Sequence, residues 1–285
     1  MPDTRLRDLL ASRKFFAVPG VQDMTAAVIA DRAGFPVVYG SGYWLTASAY
    51  GLPDAGIVSY TQMLDRMDTL KRTSKAAVIA DADTGFGSLL NVHHTVKGYE
   101  AAGISAIQIE DQEFPKKCGH TPFKRIVPVE EMVQKIQVAV QARRDMLVIA
   151  RSDARQSEGM DGTMRRLEAY AKAGADILFP EALTSEEEMR QACAAFDRPV
   201  MANLSNGGLT PMLKADTLAD IGFSFAIYPA LTSVVAMAAM EQALIKLRDA
   251  GDADPAGMPI FDFKAFCELI GFQDVWNFER KWAKR

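Results

Sequence analysis

The feature that most constrains the fold is a repeated unit, in which a helix ends at a glycine and a short apolar strand with a polar end follows. In one copy Tyr99–Gly103 precedes Glu110, and in another Tyr170–Gly174 precedes Glu181, with seven residues from glycine to carboxylate in both. Glycine readily adopts the left-handed backbone conformation that ends many helices. Each copy therefore predicts a helix, a stop and a buried strand.

Units of this kind recur along the chain and predict eight strands, each followed by a helix. Strands that alternate with helices pair in parallel, and eight such units favour a closed (β/α)₈ TIM-type barrel. The alternative is a doubly wound open sheet, which would carry a glycine-rich nucleotide-binding turn after its first strand; Pro19–Asp23 is not such a turn. The predicted strands are Phe15–Val18, Val37–Tyr39, Ala77–Ala80, Ile104–Ile109, Leu147–Ala150, Ile177–Phe179, Val200–Ala202 and Phe223–Ile227.

Composition excludes several classes of protein. A net charge of −4, with lysines and arginines spread along the chain, gives no basic surface for nucleic acid. No apolar run approaches the roughly 18–20 residues that span a bilayer, and the first residues lack a signal-peptide pattern. Three distant cysteines, Cys118, Cys193 and Cys267, form neither a disulfide framework nor a zinc motif. We therefore expect a cytoplasmic enzyme or binding protein that contacts neither nucleic acid nor membrane.

The end of the chain differs from the rest. Asp252–Gly257 is polar and rich in helix-breaking residues, and Phe261–Trp282 is crowded with Phe, Trp and aliphatic side chains. These side chains either cover the barrel of their own chain or bury against a neighbouring chain, and aromatic-rich surfaces favour the second. We predict a barrel domain over residues 1–250, followed by a linker and oligomerisation helices over residues 251–285.

Polar residues end most of the predicted strands. In a (β/α)₈ barrel these ends meet on one face, which carries the active site. Several carboxylates there would repel one another without a cation, and oxygen ligands without histidine suit Mg²⁺ or Mn²⁺. Alternatively some carboxylates pair structurally with Arg151 or a lysine, and Glu181 is the leading case. The strand-end residues are Tyr39, Ser41, Asp81, Asp83, Glu110, Arg151, Glu181 and Asn203.

A dense polar segment, Gln108–His120, follows the strand that ends at Glu110. Cys118 lies there beside Lys116, Lys117 and His120, a positive setting that favours thiolate formation or proton exchange. The alternative is a solvated loop with an incidental thiol.

Groups that bind anions follow other strands. Backbone N–H groups of Ser41–Tyr43 can cradle a carboxylate or phosphonate, and Asn203 and Ser205 add neutral donors. Arg151 adds a cation that binds carboxylates bidentately. Together these groups indicate a small substrate with more than one acidic group.

These motifs resemble the isocitrate lyase/phosphoenolpyruvate mutase superfamily over nearly the whole chain. The resemblance implies a modified barrel whose terminal helix is swapped between subunits of a homotetramer. It also implies that Asp81 is the direct Mg²⁺ ligand and that Asp54, Asp83 and Glu110 hold metal-bound water. The matching segments are Gly40–Gly42, Gly51–Asp54, Asp81–Gly87, Glu110–Gln112, Lys116–His120 and Ala150–Ala154.

The resemblance further assigns substrate contacts. Tyr39, Ser41, Gly42 and Tyr43 resemble the segment that binds a pyruvyl-type carboxylate, and Arg151 would contact substrate oxygens shared with the metal. The pair that resembles the second carboxylate site is Asn203 and Ser205, and we also expect Glu181, Gly119 and His120 to contact substrate.

The segment Lys116–His120 resembles the mobile catalytic loop of the lyase branch, where Cys118 would protonate the enolate carbon after carbon–carbon cleavage. We therefore expect Lys116, Cys118 and His120 to be catalytic, together with Arg151 and Tyr39. The base that removes the hydroxyl proton is either Tyr39 or a metal-linked water. The alternative activity is an oxaloacetate decarboxylase or hydrolase of the same superfamily, and a non-catalytic binding protein is the third hypothesis.

One departure concerns the distal part of the substrate. Asn206 stands where methylisocitrate lyases carry a glutamate, and Tyr43 and Trp44 are bulkier than the small residues expected after that glycine turn. A narrower site favours a smaller substrate, such as a 2,3-dialkylmalate, over methylisocitrate.

Overall fold

Parallel β-strands form the frame of the protein. Its structure, a computed structural model, describes residues 3–119, 121, 123–251 and 257–283. The strands of this described part are β1 Phe16–Val21, β2 Val37–Gly40, β3 Ala77–Asp81, β4 Ala106–Glu110, β5 Leu147–Ser152, β6 Ile177–Pro180, β7 Met201–Asn203 and β8 Phe225–Tyr228. Their order is β6-β5-β4-β3-β2-β1-β8-β7, and every hydrogen-bonded pair is parallel. A parallel bridge from Leu178 to Val200 joins the two ends of this order. The predicted (β/α)₈ barrel is confirmed.

Helices separate the strands as the repeated unit predicts. Gly103 and Gly174 have φ angles of 82° and 105°, so both end their helices in the left-handed conformation that glycine favours. No helix within the described ranges is long and apolar enough to cross a membrane. The helices are α1 Arg5–Ala11, α2 Met24–Arg32, α3 Gly42–Tyr50, α4 Tyr60–Thr73, α5 Leu89–Ala101, α6 Val129–Ala142, α7 Arg155–Lys172, α8 Glu186–Ala194, α9 Ala215–Ile221, α10 Leu231–Ala250, α11 Phe263–Leu269 and α12 Phe272–Trp282.

The largest difference from the predicted strand bounds is at the end of β1. Strand β1 continues through Pro19 to Val21, because its partner changes from β8, paired up to Pro19, to β2, paired at Gly20 and Val21. Helix α9 begins at Ala215, since Lys214 has the extended conformation of an N-cap residue.

Apolar side chains fill the inside of the barrel. Ile79, Ile149, Phe179 and Phe225 are fully buried there, and Leu6 of α1 belongs to the same cluster. A second cluster packs the strands against the surrounding helices. The barrel is therefore a solid core, and polar chemistry is confined to its ends.

The chain divides into two compact units, Met1–Thr232 and Ser233–Arg285. Within the second unit, α12 pairs the rings of Phe278 and Trp282 at a centroid distance of 6.3 Å. The division into a barrel domain over 1–250 and a tail over 251–285 stays a prediction.

Candidate active site

A cavity of about 260 Å³ lies at the carboxyl ends of the barrel strands. Most of the predicted site residues line it, whereas Gly42, Asp83 and Glu110 contact residues that do. His120 lies outside the described residues. The predicted residues that line the cavity are Tyr39, Ser41, Tyr43, Asp54, Asp81, Lys116, Cys118, Gly119, Arg151, Glu181, Asn203 and Ser205.

Strand register brings the first of these side chains together. Asp81 and Glu110 are the last residues of β3 and β4, and Glu110 is in register with Arg151 of β5. Because neighbouring parallel strands end at the same level, residues distant in sequence meet at one rim.

The acidic part of the site is organised by Lys116. Its ammonium lies 2.6 Å from Asp54 Oδ1 and 2.8 Å from Asp83 Oδ1, and all three side chains are buried. Asp81 is held separately, because its Oδ2 accepts from the Gly42 N–H at 3.2 Å and its Oδ1 accepts from the Asp83 N–H at 3.1 Å. The Gly42 N–H, expected to cradle a substrate anion, is thus occupied by Asp81.

Burial governs protonation in this cluster. It raises the pKa of Asp83 from 3.8 to about 7, with Lys116 opposing the shift and the charges of Asp81 and Asp54 adding to it. Burial also raises the pKa of Glu110 well above its ordinary value. Both carboxylates are therefore harder to ionise in this buried site than in water, and a cation placed beside them would favour their charged forms.

The residues fit a divalent cation that keeps most of its water. Among the described residues no three Asp, Glu, His or Cys side chains converge as a ready ligand set. Mg²⁺ is commonly held by one or two carboxylates, with water in its remaining positions. Within the described ranges, more buried carboxylates than buried cations lie at and behind the cavity: the carboxylates are Asp54, Asp81, Asp83, Glu110, Asp153 and Glu181, and the cations that contact them are Lys116, Lys124 and Arg151.

Arg151 is fixed by three carboxylates. Its Nε and Nη2 donate to Asp153 at 2.9 and 3.0 Å, and its guanidinium also lies 3.5 Å from Glu110 Oε2 and 3.4 Å from Glu181 Oε2. The ring of Phe179 packs 5.1 Å beneath it. A guanidinium held in this way is oriented before a substrate carboxylate arrives.

Glu181 links Arg151 to the far side of the cavity. Asn203 Nδ2 donates to Glu181 Oε2 at 3.0 Å, so the carboxylate joins the ends of β6 and β7. The pairing of Glu181 with Arg151, which we had expected as an alternative to a metal role, is present at 3.4 Å.

The loop that carries Cys118 lies over Arg151. A methyl group added at Gly119 would lie 2.1 Å from Arg151 Nη2, which places the loop backbone directly against the guanidinium. Cys118 is half-buried and lines the same cavity. The base of the loop is closed by a bridge between Gln112 and Ile126.

Sequence reasoning assigned no role to several residues that organise the site. Gln108 accepts from the Tyr39 hydroxyl at 2.7 Å and donates to Asp81 at 3.3 Å. Gln112 donates to Glu110 at 3.1 Å and to the Lys117 carbonyl at 2.8 Å. A polar residue inside an apolar strand was the available signal for Gln108, since buried polar groups require partners.

The sequence is similar to a known protein family and to characterised relatives. A family model described as phosphoenolpyruvate phosphomutase matches residues 6–248. The chain is 40% identical over 283 residues to 2,3-dimethylmalate lyase of Eubacterium barkeri, covering 98% of this chain and 97% of the relative. It is also 40% identical over 273 residues to 2-methylisocitrate lyase of Aeropyrum pernix, covering 96% and 88%.

Solved structures agree in fold. A 2,3-dimethylmalate lyase described as a PEP mutase/isocitrate lyase superfamily member has a TM-score of 0.92 at 32% identity, with 99% and 96% of the two chains covered. Oxaloacetate acetylhydrolase with 3,3-difluorooxalacetate has a TM-score of 0.92 at 32% identity, covering 99% and 97%. Phosphonopyruvate hydrolase with oxalate and Mg²⁺ has a TM-score of 0.87 at 31% identity, covering 99% of both. The predicted carbon–carbon lyase class is confirmed by the names of the sequence relatives, and the chain belongs to the phosphoenolpyruvate mutase/isocitrate lyase superfamily.

Proposed function

We propose that the protein is a Mg²⁺-dependent carbon–carbon lyase that cleaves a 2-hydroxy di- or tricarboxylate into pyruvate, or a related 2-oxo acid, and a second carboxylate. One observation carries this proposal: the Cys118 thiol, the Arg151 guanidinium and the Asp81 carboxylate line a single cavity. An acid, a fixed cation and a metal-binding carboxylate at one site are the groups that such a cleavage requires.

The bond changes follow from the reaction class. The hydroxyl proton of the substrate passes to a base, either Tyr39 or a water on the metal-binding side of the cavity, while the bond between the two central carbons breaks and the carbonyl of the 2-oxo acid forms. The electron pair remains on the other fragment as an enolate, and Cys118 donates its proton to that carbon. Arg151 holds substrate carboxylate oxygens throughout, since its contacts with Asp153, Glu110 and Glu181 leave it little freedom to move.

The metal belongs to the acidic side of the cavity. We assign Asp81 as its direct ligand and Asp54, Asp83 and Glu110 as residues that hold its water. When bound, the cation supplies positive charge that stabilises the negative charge developing on the substrate oxygens. Lys116 forms ion pairs with both Asp54 and Asp83 from the loop side.

Tyr39 acts in this proposal as a neutral donor. Burial, followed by the charge of Asp81, raises the pKa of its hydroxyl well above 10.0. The hydroxyl therefore keeps its proton near neutral pH and donates a hydrogen bond to Gln108 Oε1 at 2.7 Å. That disfavours Tyr39, one of the two candidate bases, as the group that removes the substrate proton.

The distal contacts favour a small substrate. Tyr43, Trp44 and Asn206 line the cavity of about 260 Å³, and the Tyr43 and Trp44 rings lie 4.9 Å apart. Asn206 offers the substrate a neutral amide at the position where methylisocitrate lyases carry a charged glutamate, so the two side chains favour different distal groups on the substrate. We therefore place a 2,3-dialkylmalate ahead of methylisocitrate, with Asn203 and Ser205 binding the second carboxylate.

Cleavage of oxaloacetate is the second candidate. It is favoured by the TM-score of 0.92 to oxaloacetate acetylhydrolase, which equals that to 2,3-dimethylmalate lyase. Hydrolysis would use the same metal and Arg151: water would add to the 2-oxo carbon, oxalate would form, and the departing carbon would take up the proton released by that water, without a need for Cys118.

Assembly and compartment complete the proposal. The second unit exposes Phe263, Phe278 and Trp282, large apolar side chains that a neighbouring chain would cover. We propose a homotetramer in the cytoplasm, where a reducing environment keeps Cys118 as a thiol.

The test is pyruvate and oxalate release from dimethylmalate, methylisocitrate and oxaloacetate, each with Mg²⁺ or EDTA. Pyruvate from dimethylmalate, lost in EDTA, is the expected result. A preference for methylisocitrate would refute the smaller substrate, and activity on oxaloacetate alone would replace the lyase by the second candidate. A protein without turnover of any of the three would contradict both enzymatic assignments.

A further inference from the structure

Lys124 joins the Cys118 loop to the carboxylate that positions Arg151. Its ammonium donates to the Gly119 carbonyl and, at 2.9 Å, to Asp153 Oδ1. Gly119 directly follows Cys118, whereas Asp153 is the residue that holds the Arg151 guanidinium bidentately. One side chain therefore contacts the loop and the rim of the barrel together.

Asp153 is a fixed point for this contact. Its backbone N–H donates to Asp111 Oδ1 at 2.8 Å, and its side chain is fully buried between Arg151 and Lys124. Burial opposes ionisation, but the two cations hold the pKa of Asp153 below its usual range, so the group is a carboxylate at neutral pH. Asp153 is therefore a fixed, charged partner for Lys124 of the loop.

Burial makes the contact stronger than a surface ion pair. The side chain of Lys124 is 3% exposed and that of Asp153 is 0% exposed, although the residues on either side of Lys124, Phe123 and Arg125, are exposed to solvent. Exposed ion pairs stabilise proteins very little, whereas a buried, hydrogen-bonded pair is costly to break. A lysine that folds inward from an exposed loop onto a buried carboxylate is therefore a local anchor.

We propose that Lys124 is the latch that holds the Cys118 loop closed over Arg151, and that Asp153 couples loop closure to the position of Arg151. Lys124 is a positioning residue, since it touches neither the cavity nor the reacting atoms. The proposal deepens the proposed lyase function and rests on it for its kinetic consequence only. Its structural consequence, closure of the loop, is independent of the substrate.

The experiment compares Lys124→Met, Lys124→Arg and the control Arg125→Met. Arg125 is the adjacent basic residue of the loop, but its side chain is 76% exposed and forms its ion pair, among the described residues, with Glu113. Closure is measured as the rate of Cys118 alkylation by iodoacetamide, followed by mass spectrometry of its peptide, and as amide hydrogen exchange over the loop. Loss of one charge-assisted anchor predicts Cys118 alkylation about tenfold faster in Lys124→Met. Lys124→Arg should restore most of the protection, and Arg125→Met should match wild type.

Kinetics give the second readout. In Lys124→Met we expect kcat for pyruvate release to fall about tenfold while KM changes less than about threefold, because Arg151 keeps its contacts with Asp153, Glu110 and Glu181. An alkylation rate within about twofold of wild type would overturn the latch, and loss of protection in Arg125→Met would show that any loop charge suffices. If Lys124→Met does not fold, Lys124→Gln, which keeps a donor without the charge, is judged by the same limits. Faster alkylation in a protein that cleaves no substrate would support the latch and contradict the proposed function.

Discussion

Replacing Gly119 by alanine tests whether the loop position seen in the structure is the one used in catalysis. The added methyl would lie 2.1 Å from Arg151 Nη2, 2.9 Å from Glu181 Cγ and 3.1 Å from Asp153 Oδ1. Gly119 does not have a positive φ angle, so alanine is compatible with its backbone conformation. The substitution therefore acts through the clash alone.

The size of the clash gives the expected effect. An ordinary contact begins at 3.4 Å, so the loop and Arg151 must separate by about 1.3 Å. Arg151 has little room to retreat, because Asp153 and Phe179 lie against it. The loop must move instead and carry Cys118 with it. A misplacement of about 1 Å can reduce a rate by about 100-fold, and we expect a loss of that size in kcat.

Pyruvate release coupled to lactate dehydrogenase measures this loss, with Arg125→Met as the control in the same loop. Circular dichroism and the unfolding midpoint report whether the barrel is intact. A kcat for Gly119→Ala within about threefold of wild type would refute the reasoning, because the loop would then not lie over Arg151 during turnover.

Three further results are expected. Gln112→Met removes hydrogen bonds to Glu110 and to both the N–H and the carbonyl of Lys117, each worth about 1 kcal/mol, so kcat should fall at least about tenfold and the unfolding midpoint should fall by about 2–4 °C for each kcal/mol lost. The folded protein keeps a proton on Asp83 up to about pH 7 that the unfolded chain loses near 3.8, so stability without metal should fall as pH rises between these values. Thermal unfolding in EDTA should show this slope, Asp83→Asn should reduce it, and Mg²⁺ should stabilise most at the higher pH. Cys118→Ser should lower carbon–carbon cleavage by about 100-fold, the usual size of a lost acid, whereas full activity would favour oxaloacetate cleavage.

The barrel was predictable because its signals are local. A helix that ends at Gly103 and a strand that ends at Glu110 are separated by only a few residues, and the repeat of that unit specifies a parallel sheet. The strand ends were predictable for the same reason, since Asp81, Glu110 and Asn203 each complete an apolar run.

The contacts of the Cys118 loop were not predictable from local pattern. Lys124 and Asp153 are 29 residues apart, and nothing in the sequence near Lys124 distinguishes it from the exposed Arg125. Gln108 occupies a position in β4 that apolar periodicity alone would assign to a core residue. Its amide is hydrogen-bonded because the fold brings Tyr39 of β2 and Asp81 of β3 beside it. Partners of this kind are decided by the folded geometry of the whole barrel.

Both ends of the Cys118 loop are connected to the same guanidinium through one carboxylate each. At the start of the loop, Gln112 bonds Glu110, which lies 3.5 Å from Arg151; towards its end, Lys124 bonds Asp153, which holds Arg151 at 2.9 Å. A substrate carboxylate bound to Arg151 would share the guanidinium with Glu110 and Asp153, the two carboxylates that Gln112 and Lys124 contact. The position of Cys118 should therefore respond to what occupies Arg151, because a buried cation shared among several anions cannot strengthen one contact without weakening the others. In the proposed lyase reaction this coupling would join substrate binding to delivery of the Cys118 proton.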